Sequence, residues 1–260
     1  YTGVALTVDG SNGDAGITIV SAYTRFEGVI VDKKGEGGAM SVYGPDAGGP
    51  SYIDSCIIGN LESSGIFIYG TGSIVTNTLV FNSTAGAAFE GGNGSVASFY
   101  NCTAVDSMVG FEKIGSGNGT IFVNCLSYNN TTDFVWGGSG TMTVWYSSGN
   151  DAGDTADDFG GAGNRVDAVP SFRSYAQDDF RLTASDSAVA SYGVQCYSPD
   201  GVDINGSQRM TRSGVSIGMD EYEASGAVPE KVSLIRAKRT INSIARAANQ
   251  LTVIYTGADF

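Results

Sequence analysis

Four carboxylates crowd one Gly-rich stretch of the chain: Asp151, Asp154, Asp157 and Asp158. Carboxylates at this spacing could hold Ca2+ through hard oxygen ligands, act as an acid–base pair, or form a solvated loop. The run from Asp9 to Asp14 has a weaker cation-loop look and lacks the bidentate Glu an EF-hand needs. There is no His, so imidazole acid–base chemistry and His-ligated metals are excluded. Cys56, Cys102, Cys125 and Cys196 contain no C-x-x-C pair and are too few for a disulfide scaffold. They read as small buried side chains. Ca2+ on the four aspartates is therefore the one cofactor weighed, and no catalytic residue is assigned. Tyr69, Trp136 and Trp145 could stack on sugar rings or fill a core.

The scaffold for these residues is written in a repeat. Tyr52 to Asn60, Ile74 to Asn82, Ser98 to Asp106 and Ile121 to Asn129 align, and Met142 to Asn150 follows with less likeness. Their closing Asn/Asp residues 60, 82, 106, 129 and 150 are 22, 24, 23 and 21 apart. Cys56, Thr78, Cys102, Cys125 and Tyr146 keep the same spacing within them. A second strand recurs as Gly65-Ile-Phe-Ile-Tyr-Gly70, Gly86-Ala-Ala-Phe-Glu-Gly91, Gly110-Phe-Glu-Lys-Ile-Gly115 and Asp133-Phe-Val-Trp-Gly137, each before a Gly-rich turn. Gly and Asn supply the positive φ of sharp corners. One copy cannot bury its own apolar face, so copies must stack into a solenoid. Repeats this short and this rich in Gly cannot hold two helices. The spacing predicts an all-β, right-handed parallel β-helix. The Asn/Asp column should form a hydrogen-bonded ladder along one corner.

These segments resemble the pectate-lyase-like β-helix proteins over roughly residues 20 to 223. A family-like ending strengthens the resemblance: Asp179-Phe-Arg-Leu-Thr-Ala-Ser-Asp186, then Asp203-Ile-Asn-Gly-Ser-Gln-Arg209, then Ser216-Ile-Gly-Met-Asp-Glu-Tyr-Glu223. The chain departs from the family pattern where no Pro follows Ser187 and where Met219 replaces a small residue. The resemblance implies a fold and not an activity, because lyases, adhesins and phage virion proteins share it. Its enzymes bring paired Arg around a Pro, or N-T-D, D-D, G-H-G and R-I-K. Here only bare Asp-Asp pairs occur, at 157–158 and 178–179, and Lys113 is the one basic residue between Lys34 and Arg165.

Residues 1–223 thus read as one β-helix with a terminal cap over 151–223, and 224–260 as a separate extension. Pro229 through Gln250 carries Ile241, Ile244, Ala245 and Ala248 at helical spacing. A basic amphipathic helix is expected there, followed by a short strand from Leu251 to Tyr255. Lys231, Arg236, Lys238, Arg239 and Arg246 against Glu230 give that segment a charge of +4, leaving −17 of the chain's −13 elsewhere. These five are the expected partner-docking residues. The acidic balance argues against nucleic acid, and no run of 18 apolar residues is present to insert in a membrane. The chain opens at Tyr1 with no signal-peptide pattern, so this end does not report secretion. The expected function is a non-enzymatic structural or surface-binding protein: a phage virion fibre, spike or capsid-surface component. It would meet other virion proteins or itself, and surface polysaccharide is a further partner considered. The alternatives are a secreted carbohydrate-active β-helix and a bacterial surface adhesin, both extracellular or at the cell surface.

Overall fold

The computed structural model describes residues 6–8, 17–19, 25–28, 30–32, 40–42, 50–68, 71–92, 96–116, 119–149, 161–198, 201–205, 207–209, 215–220, 240–247 and 250–256. Short strands recur in a fixed order of three, and each pairs in parallel with its counterpart one repeat away. Face 1 comprises Arg25–Glu27, Tyr52–Asp54, Ile74–Thr76, Ser98–Tyr100, Thr120–Val123 and Met142–Trp145. Face 2 comprises Ile30–Asp32, Ile57–Leu61, Leu79–Ser83, Thr103–Val105, Leu126–Tyr128, Ser148–Gly149 and Arg165–Val166. Face 3 comprises Ile17–Ile19, Met40–Val42, Ile66–Ile68, Ala87–Gly91, Val109–Gly115 and Thr132–Gly138, with Leu6–Val8 antiparallel at its edge. The chain is a parallel β-helix, as the repeat predicts.

Stacking places like over like. Phe26, Ile53, Val75, Phe99, Phe122 and Val144 are register partners on face 1 and point inward. On face 3, Phe89, Phe111 and Phe134 stack with centroids 5.0 and 5.2 Å apart. Such columns bury the apolar surface that no single coil could hide.

Two corners turn the chain, and both use left-handed backbone. The expected ladder lies after face 2: Asn60, Asn82, Asp106 and Asn129 all have φ between 52 and 58°. Asn82 donates to Asn60 Oδ1 (2.9 Å) and Asn129 to Asp106 Oδ1 (2.5 Å). Asn150 lies outside the described residues. Another left-handed series, not anticipated, forms the first corner of each coil, from face 1 into face 2, at Gly28, Ser55, Asn77, Asn101, Asn124, Tyr146 and Gly163, and the ladder forms the second corner. The Cys column follows it immediately. Cys56, Cys102, Cys125 and Thr78 each donate to the carbonyl two residues back. Ser147, not Tyr146, continues that column, because register pairs Val123 with Trp145 and its hydroxyl donates to Trp145 O (3.0 Å). All four cysteines are free thiols.

The described residues between 168 and 220 fold back over the outer side of face 2 as a cap. Leu79, Phe81 and Val105 meet Phe180 and Met219, and Leu126 meets Ala168, Leu182, Val189 and Ile217. Three stretches, 179–186, 203–209 and 216–220, supply the joints. Asp186 accepts the N–H groups of Ser171, Val189 and Ala190, and Arg181 grips Asp179 through two contacts of 2.6 Å. Asp203 accepts from Asn205 and Ser207, and Arg209 Nε donates to Asn77 Oδ1 (2.8 Å).

The expected C-terminal helix needs correction over its second half. Thr240–Ala247 is a strand, paired antiparallel with Gln250–Thr256 and offset by an extra residue between Ile241 and Ser243. The β-branched run Thr252, Val253 and Ile254 offers a strand partner, and pairing overrides the helical spacing. Residues 229–239 lie outside the described residues.

Candidate functional site

The cap covers Leu79, Phe81, Val105 and Leu126 of face 2 and meets Asn77, Asn101 and Asn124 at the corner between faces 1 and 2. Asn124 is buried there between coil and cap: its amide donates to Val194 O (2.6 Å) and Asn101 Oδ1 (3.1 Å), and its Oδ1 accepts from Val194 N (2.9 Å). Cys196 sits in the same seam, with Sγ 3.2 Å from Asn101 Oδ1. Burial pushes its thiol up to about 11, so it stays protonated and is a poor nucleophile.

Two stacked carboxyls lie on face 3, away from the cap. Register stacks Phe67, Glu90, Glu112 and Val135 in one column opposite the inward Phe column. Glu90 is only 8% exposed and accepts a hydrogen bond from Ser64 Oγ (2.9 Å). Burial raises its pKa to about 7 against the Ser64 bond, and the charge of Glu112 adds to the rise. Burial raises Glu112 as well. The two carboxyls lean apart, Glu90 toward Ser64 on the coil before and Glu112 toward Gly137 on the coil after. A half-protonated carboxyl near neutrality can donate or accept a proton, which is the property general acid–base work needs. The signal was in the sequence: the dipeptide Phe-Glu recurs at 89–90 and 111–112, 22 residues apart.

A shallow, open groove of about 330 Å³ follows the second corner, lined by Thr84, Asp106, Ser107, Met108, Asn129 and Thr131. Tyr175 bonds two of the lining residues, donating its hydroxyl to Asp106 and accepting from Asn129 (2.9 Å). Burial and the Asp106 carboxylate raise the phenol's pKa, so Tyr175 is a hydrogen-bond donor and not a base.

The residues singled out in the sequence do not converge. Trp136 (49% exposed) lies within the strand Thr132–Gly138 of face 3, and Trp145 (44% exposed) ends a strand of face 1. Both are solvent-facing, as stacking on a sugar would require, but on different faces. Tyr69, the aspartates 151, 154, 157 and 158, and the basic residues 231, 236, 238 and 239 lie outside the described residues. Arg246 belongs to the strand Thr240–Ala247, where it pairs with Leu251. Among the described residues, no cluster of three or more His, Cys, Asp or Glu could hold a metal, and no helix is long and apolar enough to cross a membrane. Lys113 is fully buried in the inward column of Ile68 and Gly91, with Nζ on the carbonyls of Ile114 (2.7 Å) and Gly115 (3.2 Å). Burial lowers its pKa. No family model, curated protein or solved structure matches the chain.

Proposed function

We propose that the chain is a non-enzymatic structural or surface-binding protein, most simply a virion fibre, spike or capsid-surface component that docks or self-associates through its basic C-terminal segment. The observation that carries this reading is how the ionisable groups are spent. Lys113 is inside the stack, Arg165 lies 3.5 Å over the Tyr192 ring, and Arg173, Arg181 and Arg209 brace the cap. Chemistry on acidic polysaccharide needs a cation beside the reacting carboxylate, and the described outer surfaces of faces 1 and 3 offer none whose side chain is placed. The +4 charge over residues 229–250 against −17 for the rest of the chain favours electrostatic docking between copies or onto an acidic neighbour. Deleting 229–260 tests this directly. Loss of self-association or of particle attachment, with the β-helix still folded, is expected; unchanged assembly would sink the docking role.

Glu90 favours a second reading, a carbohydrate-active surface on face 3. Incubation with a polysaccharide panel should then give new reducing ends or unsaturated products, abolished by Glu90→Gln. No product from any polysaccharide leaves the structural reading standing.

A further inference from the structure

We propose that the last rung of the solenoid carries an oxyanion site, built on Arg165, for a carboxylate or phosphate group. The strand Arg165–Val166 ends face 2, and among the described residues no further strand pairs beyond it. Register puts Leu126, Ser148 and Arg165 in one column, and the contacts of Leu126 show that this column points outward, toward the cap. Ser148 Oγ is the polar group the column offers to Arg165, one strand spacing away, about 4.8 Å. That bond is not made: Ser148 Oγ and Arg165 Nε are both sealed from solvent with no hydrogen-bond partner. The guanidinium lies instead on a ring of the cap, with Cζ 3.5 Å from the Tyr192 centroid. That is the contact distance of two stacked planes.

Stacking uses the flat face of the ion and leaves its edge. The two terminal nitrogens of Arg165 have no partner either, and unlike Nε they keep contact with solvent. Among the described residues no acid pairs with this cation; Asp167, two residues on, is exposed and makes no ion pair with it. The chain has 27 acidic residues to 14 basic ones, yet this guanidinium is left unpaired. Its planar edge matches two oxygens of a carboxylate or phosphate. Because the Tyr192 ring already fixes it, little freedom is lost when an anion binds. Aromatic surface lies beside the edge. Tyr192 is exposed, and across the corner at Tyr146 the next outward side chain is the exposed Trp145. A sugar that carries an anionic group would use both the ring surface and the cation. The site rests on the surface-binding reading and not on docking through 229–260, which deletion tests separately.

The test is a titration of the full chain with glucuronate, inorganic phosphate and glucose at constant ionic strength. Proton–nitrogen NMR follows the Arg165 Nε–H and the backbone amides of Val166, Tyr192 and Gly193. Glucuronate should shift these signals saturably, and glucose should not. Phosphate binding as tightly as glucuronate assigns the site to a free oxyanion, and weaker phosphate binding assigns it to an anionic sugar. Arg165→Gln, followed through the amides, should weaken anion binding by about tenfold or more. Arg165→Lys keeps the charge but loses the planar edge, and should weaken it several-fold; this variant decides alone if Arg165→Gln does not fold. No saturable shift with either anion, or undiminished affinity in either variant, overturns the proposal.

Discussion

At the scale of single residues, the corners do the most with the least. Asn124 combines a φ of 53° with two hydrogen bonds to Val194 that fasten coil to cap and a third to Asn101 on the coil before. Asn124→Ala loses the bonds and strains the backbone, and should cost about 3 kcal/mol in denaturant unfolding. Asn124→Gly loses the same bonds but relaxes the corner, so it should be about 1 kcal/mol milder. Equal costs would show that the left-handed backbone is unimportant there. Phe111 tests the interior, since it contacts Phe89, Phe122 and Phe134. Phe111→Ala should cost about 3–5 kcal/mol. Glu90 gives a pH signature. Its pKa is raised in the folded state, so its contribution is present below the unfolded value and is lost as pH rises through about 7. Stability should fall across that window by at most about 1.4 kcal/mol per unit, and Glu90→Gln should flatten the melting profile. A variant that melts with the wild-type pH dependence would assign the slope elsewhere.

Among elements, packing against the cap fixes what each strand tolerates. The Phe81 ring lies over Gly59 on the coil before, where a methyl would sit 2.2 Å from the ring, and it meets Phe180 of the cap at 5.5 Å. Gly59→Ala should therefore destabilise by about 1–3 kcal/mol. Adding Phe81→Leu should recover part of that loss, and strict additivity of the two would argue against the contact. This close approach shows where sequence reading ends. The coil period, the Cys column and the 60–82–106–129 ladder were legible because chemically similar residues recur. The first corner was not, since Gly28, Ser55, Asn77, Asn101, Asn124 and Tyr146 share a backbone angle and not a side-chain type. That mixture also hid the one-residue slip that puts Ser147 in the Cys column. The added rung at Arg165–Val166 shows no apolar stripe. Strand pairing over Thr240–Ala247 was masked by residues that fit a helix equally well. Glu90 and Glu112 were visible as a repeated dipeptide, but only stacking made them neighbours.

For the molecule as a whole, a solenoid should gain stability coil by coil, each touching only its neighbours. The cap breaks that one-dimensional logic. It contacts Asn77, Asn101 and Asn124 at one corner and Leu79, Phe81, Val105 and Leu126 on one face, so it ties three successive coils to a single segment. Unfolding of these coils should then be cooperative with loss of the cap, and the outer side of face 2 is a second core that becomes an exposed apolar patch without it. Two truncations separate these effects from the C-terminal segment, one ending after residue 223 and one after residue 167. The longer should remain dispersed and melt in one transition. The shorter should associate as its concentration rises, seen by light scattering, and should melt broadly because its coils are no longer bound together. A 1–167 chain that stays dispersed and melts as sharply as 1–223 would mean the solenoid is complete without its cap, and that face 2 faces solvent at no cost.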